Sequence, residues 1–275
     1  MKQRTLTGVV LALLSMVLLG CFHLPWVPQL IAILLGCGAV WEILGANGIR
    51  NKGSYAAGLF LAVIIPLFSL TEKVWWMAAA LVLGLGFFTY LMTRIGKQAP
   101  AWVAAPEIVL ALSLYRGLAC YGEIPHGAFF LCLTGLICAL TDIFAYLVGS
   151  RFGRRKLAPK VSPKKTVEGA IGGLLGGVIG MTVFKLVADS MAHTLTVYPP
   201  IEMAAGPQIS WGAVFALGII GSTISQIGDL SFSVIKREFG VKDYGNLLPG
   251  HGGILDRFDS VTFVAPFVWL ALQLL

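Results

Sequence analysis

Val167-Glu168-Gly169-Ala-Ile-Gly172-Gly173-Leu-Leu-Gly176-Gly177-Val-Ile-Gly180-Met-Thr-Val-Phe-Lys185-Leu-Val-Ala188 reads as one membrane-spanning helix, and it sets the class of the whole chain. A helix needs about 20 largely apolar residues to cross the hydrocarbon of a bilayer. This stretch has that length, and its charges, Glu168 and Lys185, lie toward its two ends. Its glycines fall in two rows of spacing four, Gly169, Gly173 and Gly177 beside Gly172, Gly176 and Gly180. Such rows let neighbouring helices approach closely, so the pattern points to packing rather than to a phosphate loop.

Working outward, the same apolar texture recurs. Nine candidate spans result: 6–24, 28–46, 54–70, 74–92, 101–119, 127–149, 167–188, 211–230 and 260–275. The composition agrees, at 57% hydrophobic and 12% charged; a soluble domain carries about 25% charge. The expected fold class is therefore all-α, a polytopic integral membrane protein. The start, Met1-Lys-Gln-Arg4 and an apolar run, imitates a signal peptide. A second span follows at once and no small-x-small cleavage site stands out, so a retained first helix is expected. Cys21, Cys37, Cys120, Cys132 and Cys138 form no CxxC pair and lie in or beside apolar runs, which suits buried small hydrophobes.

Charge orients the spans. With the amino terminus in the cytoplasm, all 20 Lys and Arg residues except Lys73, Arg116 and Lys185 fall in cytoplasmic segments, as the positive-inside rule requires. The net charge of +7 then faces anionic lipid headgroups. No aromatic side chains interleave with it as a stacking platform for nucleic acid would need, so nucleic acid is not an expected partner. Residues 1–100 carry no assigned chemistry; residues 101–275 form the expected catalytic part, with cytoplasmic loops 150–166 and 231–259.

Those loops hold the candidate chemistry. In the second, Lys236, Arg237, Lys242, Gly245, Pro249-Gly-His251-Gly252-Gly253, Asp256, Arg257 and Asp259 crowd one polar stretch. Cations, glycine backbone and carboxylates suit a polyphosphate and a hard cation. Asp256 and Asp259 share a helical face. Asp229 ends the eighth span, and Asp142 lies inside the sixth, where an ionisable group is costly and marks function by default. In the first loop, Ser162-Pro163-Lys164-Lys165-Thr166 leads into the seventh span, with Thr166 placed to cap it beside two lysines. No HExxH, Cys/His cluster or EF-hand loop is present.

The run Ser233–Asp259 resembles the signature of the phosphatidate cytidylyltransferase (CDP-diacylglycerol synthase) family at every position. Ser162-Pro-Lys-Lys-Thr166-Val-Glu-Gly169 is similar to that family's Ser-Pro-x-Lys-Thr-x-x-Gly segment, and Asp142-Ile-Phe-Ala145-Tyr146-Leu-Val-Gly149 to its Asp-x-x-Ala-Tyr-x-x-Gly segment. Ile143 and Phe232 depart from residues common there. The resemblance implies that CTP and phosphatidate give CDP-diacylglycerol and pyrophosphate with Mg²⁺, a second cation and a homodimer staying open. It implies a multi-pass protein of the cytoplasmic (inner) membrane, in contact with membrane lipids, its site facing the cytoplasm. Asp229, Asp256, Lys236, Arg237, His251 and Arg257 would be catalytic. Ser162, Lys164, Lys165, Thr166, Lys242, Gly252 and Gly253 would bind phosphate. Asp229, Asp256, Asp259 and Asp142 would hold the metal. Two other readings stay open: a CTP-dependent lipid kinase, which would transfer the γ-phosphate, and an anion transporter.

Overall fold

The structure is a computed structural model that describes residues 9–10, 13–14, 16–18, 20–22, 24, 26–67, 73–93, 103–124, 126–194, 209–250 and 252–273. The described residues of 9–20 are helical. Eight further helices follow: α1 (Trp26–Ala46), α2 (Lys52–Leu67), α3 (Lys73–Thr93), α4 (Ala104–Cys120), α5 (Gly127–Phe152), α6 (Val167–Thr194), α7 (Trp211–Glu238) and α8 (Leu255–Leu272). A short antiparallel hairpin, β1 (Lys156–Ala158) and β2 (Ser162–Thr166), links α5 to α6.

Among the described residues the fold is thus all-α apart from this hairpin, and four of their helices are long and apolar enough to cross a membrane: α1, α5, Val167–Ser190 of α6, and α7. Lys52–Leu67 and Val74–Gly84 are shorter apolar helices. Two helix groups, α1–α4 and α5–α7, meet along α8, which packs against members of both.

The glycine rows explain how α6 fits. Cβ atoms added at Gly172 and Gly176 would come within 2.5 Å of Val148 and Phe144 on α5. In the other row Gly173 and Gly177 face the seam with α7: a Cβ at Gly173 would lie 3.1 Å from the Thr141 carbonyl oxygen of α5 and 3.2 Å from Gln226 Nε2 of α7. Side-chain hydrogen bonds lock the same seam. Thr141 Oγ1 donates to Ser222 Oγ (2.8 Å) between α5 and α7, and Gln226 Nε2 donates to the Ala170 carbonyl (3.2 Å) between α7 and α6. Each such interhelical bond contributes on the order of 1 kcal/mol in a membrane setting.

Helix ends differ from expectation where local chemistry extends them. The eighth expected span ends at 230, yet α7 runs to Glu238, so Lys236 and Arg237 lie on a helix rather than in a loop. Two basic residues in a last turn suit the helix dipole. The stop follows at Gly240 (φ +69°), where its N–H donates to Arg237 O and the Val241 N–H donates to Lys236 O, a Schellman ending that needs the left-handed conformation glycine supplies. α8 likewise starts at Leu255, ahead of the expected 260. The hairpin has no sequence counterpart, because β2 carries Pro163 and four polar residues with no alternation of apolar positions.

Candidate active site

Two clusters of predicted residues form at one end of the α5–α8 group. The first surrounds an open cavity of about 590 Å³ lined by α5, the hairpin, α6 and α7. Asp142, Lys164, Lys165, Thr166, Gly169, Gln226 and Asp229 are on its wall. Lys165 Nζ lies 2.5 Å from Asp229 Oδ2, and Ser233 Oγ approaches the other carboxylate oxygen at 3.4 Å. Asp142 is exposed to the cavity and close enough to Asp229 and Lys165 to feel both charges. Lys164 is exposed on β2 and Ser162 half-buried at its start.

The hairpin that carries these lysines is held by three residues. Thr166 Oγ1 accepts the Gly169 N–H (3.1 Å), the cap expected for this helix. Its buried side chain packs beside Gly149 and Gly153, where a Cβ would lie 2.9 Å from its hydroxyl and 2.7 Å from its methyl, respectively. Glu168 accepts the N–H groups of Arg154 (3.0 Å) and Arg155 (3.2 Å). Arg237 reaches from α7, donating through Nε to the Val161 carbonyl (3.1 Å) at the hairpin turn and through a guanidinium N–H to Val241 O (3.1 Å). The early N–H groups of α6 are partly committed within the chain, Gly169's to Thr166 and Val167's to Arg155 O. The helix terminus is therefore partly satisfied within the chain, and the lysine side chains are the cationic groups at this end of the cavity.

The second cluster is the loop between α7 and α8. Asp256 is its knot. One carboxylate oxygen accepts Lys236 Nζ (2.7 Å); the other accepts the N–H groups of Tyr244 (2.9 Å) and Gly253 (3.0 Å). Lys236 also lies 5.7 Å from the centre of the Tyr244 ring. Tyr244 is buried and its hydroxyl donates to Glu107 on α4 (2.8 Å). Burial, and then the neighbouring Glu107 carboxylate, holds its phenol well above the ordinary range, so it remains a neutral donor. Gly252 takes φ +87°, its carbonyl accepting the Leu248 N–H (3.0 Å) to close a tight turn. Lys242 and Arg257 are exposed. His251 lies outside the described residues.

Of the four expected metal carboxylates, Asp142 and Asp229 share the cavity wall. Asp259 is an electrostatic neighbour of Asp229, Asp142 and Lys236, and its Oδ1 accepts the Ser260 N–H (2.7 Å). Asp256 is taken up by three donors. Among the described residues no three His, Cys, Asp or Glu side chains converge as a ligand set.

One residue escaped the sequence reading. Glu42, buried in α1, accepts the N–H groups of Ile254 (2.7 Å) and Leu255 (2.9 Å) at the start of α8. The signal was available, since an ionisable residue inside an apolar span marks function by default.

The chain matches the cytidylyltransferase family over residues 2–275. It is 32% identical to the phosphatidate cytidylyltransferase of Bacillus subtilis (strain 168), covering 100% of this chain and 98% of that protein. It is 34% identical to the protein of the same name from Staphylococcus haemolyticus (strain JCSC1435), covering 98% and 97%, and 32% identical to that of Staphylococcus aureus (strain COL), with the same coverage. The similarity spans both helix groups and the two clusters just described, and the chain belongs to the cytidylyltransferase family.

Proposed function

We propose that the chain transfers the cytidylyl group of CTP to phosphatidate, leaving CDP-diacylglycerol in the membrane and releasing pyrophosphate. The observation that carries this is the open cavity in which Lys164 and Lys165 meet Asp142 and Asp229, in a chain whose relatives of matching length bear that name. A phosphate oxygen of phosphatidate attacks the α-phosphorus of CTP. A new P–O bond forms as the α–β anhydride bond breaks, and the electron pair leaves on pyrophosphate. A phosphate monoester is largely ionised at neutral pH, with a second pKa near 6, so the site needs little base catalysis. Positioning and charge neutralisation dominate such a transfer.

Lys164, Lys165 and Ser162 would take phosphate oxygens, with Thr166 and Arg237 fixing the hairpin that presents them. Lys236 and Asp256 would hold the facing loop, from which Lys242, His251, Gly252, Gly253 and Arg257 approach the nucleotide. The donor set on the cavity wall fits Mg²⁺: two hard carboxylates, Asp142 and Asp229, with the Lys165 ammonium already seated on one of them as a cation would be. Asp229 and Asp142 would hold the ion, with Asp259 behind them, and the ion would neutralise triphosphate charge. Tyr146 and Leu157 line the cavity and are exposed, as are Leu147 and Phe152 nearby. Acyl chains would lie against these residues, so the lipid enters sideways from the bilayer.

This reading places the cavity on the cytoplasmic side of an inner membrane, in a nine-span chain with a cytoplasmic amino terminus. The eight described helices and the helical residues of 9–20 support that number. The test uses purified protein in mixed micelles with CTP, phosphatidate and Mg²⁺. CDP-lipid should form, and Asp229→Asn and Asp142→Asn should each abolish most of it. Full activity in both variants would move the site elsewhere.

A further inference from the structure

We propose that Glu42, from the amino-terminal helices to which no chemistry was assigned, is a positioning residue that holds the loop between α7 and α8 in its working shape. The inference rests on the reading that this loop belongs to the active site.

The geometry begins at the start of α8. This helix has no side-chain cap of its own; Ile254 occupies the N-cap position. Its first N–H groups are instead taken by a carboxylate more than two hundred residues earlier in sequence, one Glu42 oxygen accepting from Ile254 and the other from Leu255. A negative group is favoured at a helix N-terminus, but a Ser or Asp in the loop itself would have served for capping alone. Reaching across from α1 ties the position of the loop to that of the amino-terminal helices.

Two glycines make room for the carboxylate. A Cβ at Gly253 would lie 2.5 Å from Glu42 Oε2 and 2.6 Å from Oε1, and one at Gly245 would lie 3.1 Å from Glu42 Cγ. Neither glycine has a positive φ, so close approach of the carboxylate, not backbone conformation, distinguishes these two positions, most tightly at Gly253. On its other side the loop is gripped by Asp256, which accepts from Tyr244 and Gly253. Tyr244, Gly253, Ile254 and Leu255 are therefore held between two carboxylates, Glu42 from α1 and Asp256 from α8. Glu42 is 2% exposed; a carboxylate buried in an apolar helix is costly and here is matched by two charge-assisted hydrogen bonds.

The experiment compares the full-length protein with Glu42→Gln, Glu42→Asp and Gly253→Ala in detergent. Amide hydrogen exchange is read over residues 244–256, alongside kcat and KM for both substrates. Glu42→Gln keeps the size but presents an amide N–H₂ to one of the two N–H donors. Gly253→Ala displaces an intact carboxylate, and serves if Glu42 variants do not fold. Expected are faster exchange at Ile254 and Leu255 and a kcat lower by about tenfold to a hundredfold, the scale of a misplacement near 1 Å. KM for phosphatidate should stay near its original value, and Glu42→Asp should recover part of the loss. Unchanged exchange in Glu42→Gln and Gly253→Ala overturns the proposal. Faster exchange with unchanged kcat also overturns it, and locates the failure in the assignment of the loop to the active site. A lower melting temperature with unchanged kcat per folded molecule reduces Glu42 to a structural cap and overturns the positioning role.

Discussion

Asp256→Asn separates a loop clamp from a metal ligand. In the structure the Asp256 carboxylate serves three donors, at 2.7 Å from Lys236 Nζ, 2.9 Å from the Tyr244 N–H and 3.0 Å from the Gly253 N–H. The side chains of Lys236 and Asp256 are only 11% and 6% exposed, so water screens the pair little. The amide keeps one acceptor oxygen, which can serve the lysine or the backbone pair but not both. Breaking a buried ion pair by removing one partner costs about 3–5 kcal/mol. The lower end applies, because Lys236 retains its position over the Tyr244 ring. About 3 kcal/mol lowers the population of the working loop by roughly two orders of magnitude. The assay is kcat of purified protein, corrected for folded fraction, in Asp256→Asn, Lys236→Met and the double variant, at two Mg²⁺ concentrations. Both single variants should lose activity to a similar degree. The double should be little worse than the poorer single, because the two residues act as one unit, and added Mg²⁺ should restore nothing. A near-normal Lys236→Met together with recovery of Asp256→Asn by Mg²⁺ would refute the clamp and make Asp256 a metal ligand.

Three further outcomes are expected. Lys165→Met removes the cation on Asp229 and should raise KM for CTP and lower kcat, with Lys165→Arg recovering part of the loss; equal kinetics in all three proteins would take Lys165 out of the site. Arg237→Ala should free the hairpin turn at Val161, seen as faster proteolysis between residues 154 and 166 with reduced turnover, whereas unchanged cleavage would show that the hairpin stands without it. Gly172→Leu forces a side chain into Val148, where even a Cβ would approach to 2.5 Å; overpacking of this kind costs about 1–3 kcal/mol, so the melting temperature should fall while the activity of the folded fraction persists.

Much of this architecture is legible from residue type and spacing. Span length and the glycine rows place α6 against its neighbours because helix packing is local in period: every fourth residue faces the same way. Thr166 as a cap is equally local, since a hydroxyl and the N–H three residues on are joined by the chain itself. What is not legible depends on distant partners. Arg237 looks like a catalytic cation in sequence, and in the fold its guanidinium donates to the carbonyls of Val161 and Val241. Asp256 looks like a metal ligand, and three donors from the loop and α7 surround it. Glu42 lies in a stretch without any motif, and only the fold brings it to Gly245 and Gly253. The same chemistry that makes a residue fit for substrate makes it fit for holding the chain, and only three-dimensional neighbours decide which.

Cytidylyl transfer and γ-phosphate transfer differ in which phosphorus of CTP reaches the lipid. CTP labelled separately at the α and γ positions should be given to the purified protein with phosphatidate and Mg²⁺. The α label should appear in lipid as CDP-diacylglycerol and the γ label in pyrophosphate. A γ label in the lipid fraction, or neither label there with phosphatidate confirmed in the micelle, would contradict cytidylyl transfer.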